Sequence, residues 1–96
     1  MGQVTTLLDL VERLASLDQE ATIYTEEPWT PASKALVAIE PSCGGIPKEA
    51  QESGLTYFIE VSIALDHLDG WTSYLDHTPS VQQKCERLIQ YAITDA

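Results

Sequence analysis

Basic side chains are scarce in this 96-residue chain: five Lys and Arg stand against fifteen Asp and Glu, a formal net charge of -10. None lies between Lys48 and Lys84, so Glu49, Glu52, Glu60, Asp66, Asp69 and Asp76 meet no formal positive charge in that stretch. Nucleic-acid phosphate and anionic membrane surfaces are repelled there, which removes both from the expected partners. Long hydrophobic runs are missing too. No apolar segment approaches the roughly 18 to 20 residues that cross a bilayer, and the first residues lack the basic start and apolar stretch of a secretory signal, so a cytoplasmic location is expected. Only two cysteines occur, Cys43 and Cys85. They are too few for a disulfide scaffold and form no C-x-x-C pair for zinc or thiol exchange, so reduced thiols are expected.

Catalytic signatures are equally sparse. G-x-S-x-G, a phosphate-binding glycine loop, H-E-x-x-H and a calcium-loop pattern are all absent, so hydrolase and nucleotide-binding chemistry lacks a motif. His67 and His77 lie near Asp66, Asp69 and Asp76, residue types that hold metals in other settings. Yet Asp66 and His67 are adjacent and point about 100° apart on a helix, whereas a ligand pair on one face needs three- or four-residue spacing. Glu26 and Glu27 form an adjacent carboxylate pair of the sort that raises one pKa for general acid work, but such loop pairs are ordinarily solvated. Cys43 sits in a turn, Pro41-Ser42-Cys43-Gly44-Gly45, with no local base to activate it. No enzyme, cofactor or metal is expected.

What the chain does have is 44% apolar residues in periodic runs, enough for one modest core and a single domain over residues 1–96. Leu7, Leu8, Leu10, Val11, Leu14 and Leu17 recur at helical spacing and predict a helix over 4–17, with Asp9 and Arg13 paired on its outer face. Residues 21–25 alternate as a strand. Pro28 and Pro31 make 26–31 a fixed turn, and 34–40, apolar on both sides, reads as a central strand paired with the first in an antiparallel hairpin. A loop follows over 41–54. Residues 55–75 satisfy both a helical and an alternating pattern. Because a two-stranded hairpin is marginal in water, 56–63 is assigned as a third strand and 65–76 as a helix; one unbroken helix is the competing reading. Thr78 or Ser80 supplies an N-cap, Ser80 and Gln83 have capping-box spacing, Pro79 suits a first turn, and a last helix runs to about residue 94 with Val81, Cys85, Leu88, Ile89, Ala92 and Ile93 inward. The expected fold is α+β, about three antiparallel strands with helices mainly on one face, in the order α-β-β-β-α-α.

Recognition residues are sought among exposed aromatics and the unbalanced acids. Trp29, held between prolines, serves either as an aromatic anchor for a partner or as a cap folded back on the core. Trp71 and Tyr74 fit a helix edge, while Tyr57 and Phe58 point to opposite faces of a strand. The candidate binding set is Trp29, Glu26, Glu27, Tyr57, Glu60, Asp66 and Asp69.

The run Tyr24-Thr25-Glu26-Glu27-Pro28-Trp29-Thr30-Pro31, with Ser33, Ala35, Leu36 and Val37 after it, resembles small acidic bacterial proteins of no assigned function. Residues 54–61 and 85–92 are similar to the same group. The resemblance implies a bacterial accessory protein of the kind found in mobile gene cassettes or immunity-type loci, and it transfers no catalytic or ligand residue. The leading expectation is a non-enzymatic protein that binds another protein, one of basic character, or a second copy of itself in a homodimer. Its acidic surface would come from residues 49–76 and its aromatic anchor from Trp29. The alternative is a small-molecule binder with an apolar pocket lined by Trp29, Tyr57 or Phe58 and Trp71, at a dimer interface if one chain is too small to hold it.

Overall fold

The computed structural model describes residues 4–42 and 44–95, so the expectations for Cys43 fall outside the described residues. The chain begins with Thr5–Thr6 (β1), then Leu7–Glu12 (α1) and a 3-10 turn at Leu14–Ser16. Thr22–Thr25 (β2) and Lys34–Ala38 (β3) follow, then Lys48–Glu52 (α2), Thr56–Glu60 (β4), Val61–Thr72 (α3) and Val81–Asp95 (α4). The architecture is α+β, with a four-stranded antiparallel sheet in the order β1-β3-β2-β4. The expected three strands become four because β1 is a two-residue pairing, Thr5 with Ala35 and Thr6 with Lys34, too short to leave a periodic mark. A short helix, α2, also lies in the expected 41–54 loop.

Local chemistry sets the first helix boundary. Thr5 and Thr6 are extended, so the helix starts at Leu7 instead of residue 4, and the Thr6 hydroxyl accepts from the Asp9 amide at 3.1 Å as an N-cap. The other free amides of the first turn are taken by the loop before β3: Leu7 donates to the Ser33 carbonyl and Leu8 to that of Pro31, both at 2.9 Å. The Ser33 hydroxyl in turn donates to the Pro28 carbonyl at 2.9 Å and accepts from the Thr30 amide at 2.8 Å, which fixes the proline loop. Asp9 and Arg13 form the expected pair on the outer face, 2.9 Å apart and exposed.

Residues 55–75 divide into a strand and then a helix, as expected, but the boundary falls earlier. The strand stops at Glu60, and the helix both starts and ends earlier than residues 65–76, at Val61 and Thr72. The Val61 amide donates to the Ala21 carbonyl at 3.0 Å and holds the junction without a loop. Val61, Ala64 and Leu68 are the buried face of α3, and Ile63, which the alternating pattern placed in the sheet, is exposed. After Thr72 the chain turns away: Thr72 and Ser73 hydroxyls donate back to the carbonyls of Asp69 and Gly70.

The capping box of α4 is complete, with the Gln83 amide on the Ser80 hydroxyl at 3.1 Å and the Ser80 amide on the Gln83 side-chain oxygen at 2.8 Å. Pro79 stands before the cap and is buried, not in the first helical turn. Cys85, Leu88 and Ala92 are buried as expected, but Ile93 is 66% exposed. Helices α1, α3 and α4 cover one sheet face, where Leu7, Leu10, Val11, Ile23, Ala35, Phe58 and Leu88 form the main core. Over the other face α2 and its flanking loop bury a smaller cluster of Tyr24, Leu36, Ala38, Ala50 and Leu55.

Candidate functional site

Strand pairing assigns each side chain of β4 to a face. Thr22 pairs with Ala38 on one side and Glu60 on the other, and Tyr24 pairs with Leu36 and Tyr57, so these residues share the sheet face under α2. Between Ile59 and Tyr57 the register slips by one, which makes Phe58 the extra residue of a β-bulge. Both Phe58 and Ile59 thereby enter the main core, while Tyr57 and Glu60 stay on the second face. Glu40 lies two residues beyond Ala38, past the end of β3.

The second face therefore ends in a corner of two tyrosines and two glutamates. Tyr24 is 1% exposed and Tyr57 42%, and their rings meet nearly at right angles with centroids 6.4 Å apart. The Tyr24 hydroxyl is buried with no hydrogen-bond partner, a state that costs about 1–3 kcal/mol. Burial raises its pKa from the ordinary 10.0; the nearby Thr22 hydroxyl, outside hydrogen-bond geometry, lowers it somewhat, and Glu40 and Glu60 raise it further. Tyr57 is raised by burial of its phenol first, then by Glu60, Glu40, Tyr24 and Tyr91. Both phenols stay protonated and neutral at physiological pH, and no Lys or Arg of the described residues is among the groups acting on them.

A second constellation, not visible as a motif, lies where α3 meets α4. Arg87 Nε donates to His67 Nε2 at 3.2 Å, and its guanidinium lies 5.5 Å from the Trp71 ring. His67 stacks on Tyr91 with centroids 4.1 Å apart and planes 28° from parallel. Trp71, Gln83, Glu86, Arg87 and Gln90 line a shallow depression of about 240 Å³ beside it. These contacts tie two helices together; the spacing of 67 and 71 against 87 and 91 is the signal that pairs them. His77 is exposed and sits 3.1 Å from Asp76.

The candidate binding residues do not form one surface. Trp29 is half-buried against the main core and meets Phe58 edge to face at 4.9 Å, with its Nε1 buried and unpaired. It caps the core, as its second reading had it. Glu26 and Glu27 are exposed beside it in the proline loop. Asp66 and Asp69 are exposed on the outer side of α3, which packs on the main face, whereas Glu60 lies on the opposite face. The aromatics proposed to line one pocket also separate: Trp29 and Phe58 are in the core, Tyr57 is on the second face, and Trp71 is at the helix seam. Among the described residues no three of His, Cys, Asp and Glu are arranged to hold a metal, and no helix is long and apolar enough to cross a membrane. No protein-family model matches the chain, and no curated protein or solved structure is significantly similar to it.

Proposed function

We propose that this chain is a non-enzymatic interaction protein that binds a basic protein in the cytoplasm, with Tyr57 taking the place of Trp29 as an exposed aromatic beside the acids. One observation carries the reading: Glu60 shares the second sheet face with an exposed tyrosine, Glu40 also acts on that phenol, and no Lys or Arg of the described residues is among the groups acting on it. Complementary charge would steer a basic partner to that face and choose it over neutral ones. The same charge speaks against self-association, because two copies at -10 each repel. The small-molecule reading loses its main support, since its aromatics point into three different places. The resemblance to small acidic bacterial proteins fits an accessory binding role.

The test is capture of partners from the source cell by the tagged chain across a salt series. Binding that falls steeply between low and physiological ionic strength supports the reading. No partner at low ionic strength, or a partner whose binding ignores salt, defeats it.

A further inference from the structure

We infer that the corner formed by Glu40, Glu60, Tyr57 and Tyr24 receives one guanidinium group, that of an arginine side chain on the partner. This rests on the protein-binding reading and names the chemistry at its centre. Three independent features converge on the corner. The Tyr24 hydroxyl is buried and unpartnered, so it offers a free acceptor for an incoming N–H. The two carboxylates act on both phenols, one from beyond β3 and one from β4. Tyr57 offers an exposed ring for stacking.

The dimensions suit a planar cation. β3 and β4 flank β2, so their backbones stand two strand spacings apart, about 10 Å. Glu60 pairs with Thr22, and Glu40 follows two residues past Ala38, the other partner of Thr22, so the two carboxylates are offset along the strands as well as across them. The five donors of a guanidinium face two carboxylates and a phenol oxygen, while its flat surface lies on the Tyr57 ring. A lysine ammonium is a compact, strongly hydrated point charge with no flat face to lay on the ring. A divalent metal is disfavoured because no third acidic, histidine or cysteine ligand converges among the described residues. Tyr57, exposed and edge-on to Tyr24, can change rotamer quickly as a cation enters.

The experiment titrates acetyl-arginine methylamide, and separately its lysine counterpart, into the full chain carrying 13C-labelled tyrosine rings, read by NMR. Saturable shifts at Tyr24 and Tyr57, with arginine held more tightly than lysine, are expected. Bound guanidinium should also lower the pKa of Tyr57, because it offsets Glu40 and Glu60. Glu40→Gln and Glu60→Gln should each weaken arginine binding about two- to fivefold, the range of a solvent-screened ion pair. Tyr24→Phe keeps the ring and removes the unpaired hydroxyl, so it should fold normally and still bind arginine more weakly. Absence of shifts at both rings, or equal affinity for lysine, overturns the guanidinium assignment. A captured partner that binds the Glu40→Gln, Glu60→Gln, Tyr24→Phe triple variant with unchanged salt dependence overturns the site and leaves the protein-binding reading standing. Arginine binding at the two rings in a chain with no salt-sensitive partner does the reverse.

Discussion

Trp29 meets Phe58 edge to face at 4.9 Å, and so joins the proline loop to the bulged residue of β4. The sole phenylalanine enters the main core because the bulge turns it there, and the tryptophan closes over it. Trp29→Ala should therefore destabilise the fold by about 2–4 kcal/mol, somewhat under the range for a fully buried tryptophan. Trp29→Phe should cost much less, because it keeps ring contact and removes an indole N–H that has no partner. Urea unfolding of the three proteins checks the order. Equal losses for Ala and Phe would show that the ring contact contributes little.

The Cys85 thiol is fully buried, and burial first, then Glu86, pushes its pKa from 9.0 up to about 12. The folded state thus holds the proton more tightly than the unfolded chain. Below pH 9 the two states bind it equally and stability is unaffected; between pH 9 and 12 the unfolded chain has released it, so stability falls as pH rises, by up to about 4 kcal/mol. Tyr24 and Tyr57, also raised, add to the fall above pH 10. In a Cys43→Ser background Cys85 should resist a thiol reagent at pH 8 until the protein is unfolded. Cys85→Ala should flatten the loss measured between pH 9 and 10, where the tyrosines contribute least. Rapid labelling of the folded protein would refute the buried thiol.

How much of this was legible depends on whether a feature is local. The α4 cap was, since Ser80 and Gln83 complete each other within one turn and need no partner element. The start of α3 was not, because Val61 and Ile63 satisfy both a period of two and a helical period, and only the Ala21 carbonyl on a distant segment decides between them. A two-residue strand such as β1 carries no period at all, and the bulge at Phe58 exists only relative to β2. The candidate site follows the same rule. Tyr57 and Glu60 stand out as single residues, but Tyr24 joins them through strand pairing and Glu40 only from the chain beyond β3, which no spacing along the chain records.

Ser80→Ala should cost about 1 kcal/mol, the usual worth of an N-cap hydroxyl, and Gln83→Ala less, since it frees only the amide of the cap residue. The two bonds are reciprocal, so the double variant should cost less than the sum of the singles. Thermal unfolding of the four proteins measures that coupling. Strict additivity would mean that the two bonds form independently.

Arg87 links the helix seam in two ways at once, through Nε on His67 and through its guanidinium face on Trp71. With Nε2 of His67 accepting, the neutral imidazole carries its proton on Nδ1. Long-range 15N correlation at neutral pH should show that tautomer. Arg87→Lys preserves the charge but replaces a flat fork with a point donor, so it should lose most of the seam's contribution, about 1 kcal/mol for exposed contacts of this kind. Arg87→Ala should lose no more than that, and both variants should alter Trp71 fluorescence and release the tautomer preference. If Arg87→Lys matches the parent in unfolding and in the His67 spectrum, the planar guanidinium adds nothing to the apolar packing of α3 on α4, and the geometry of the seam is incidental.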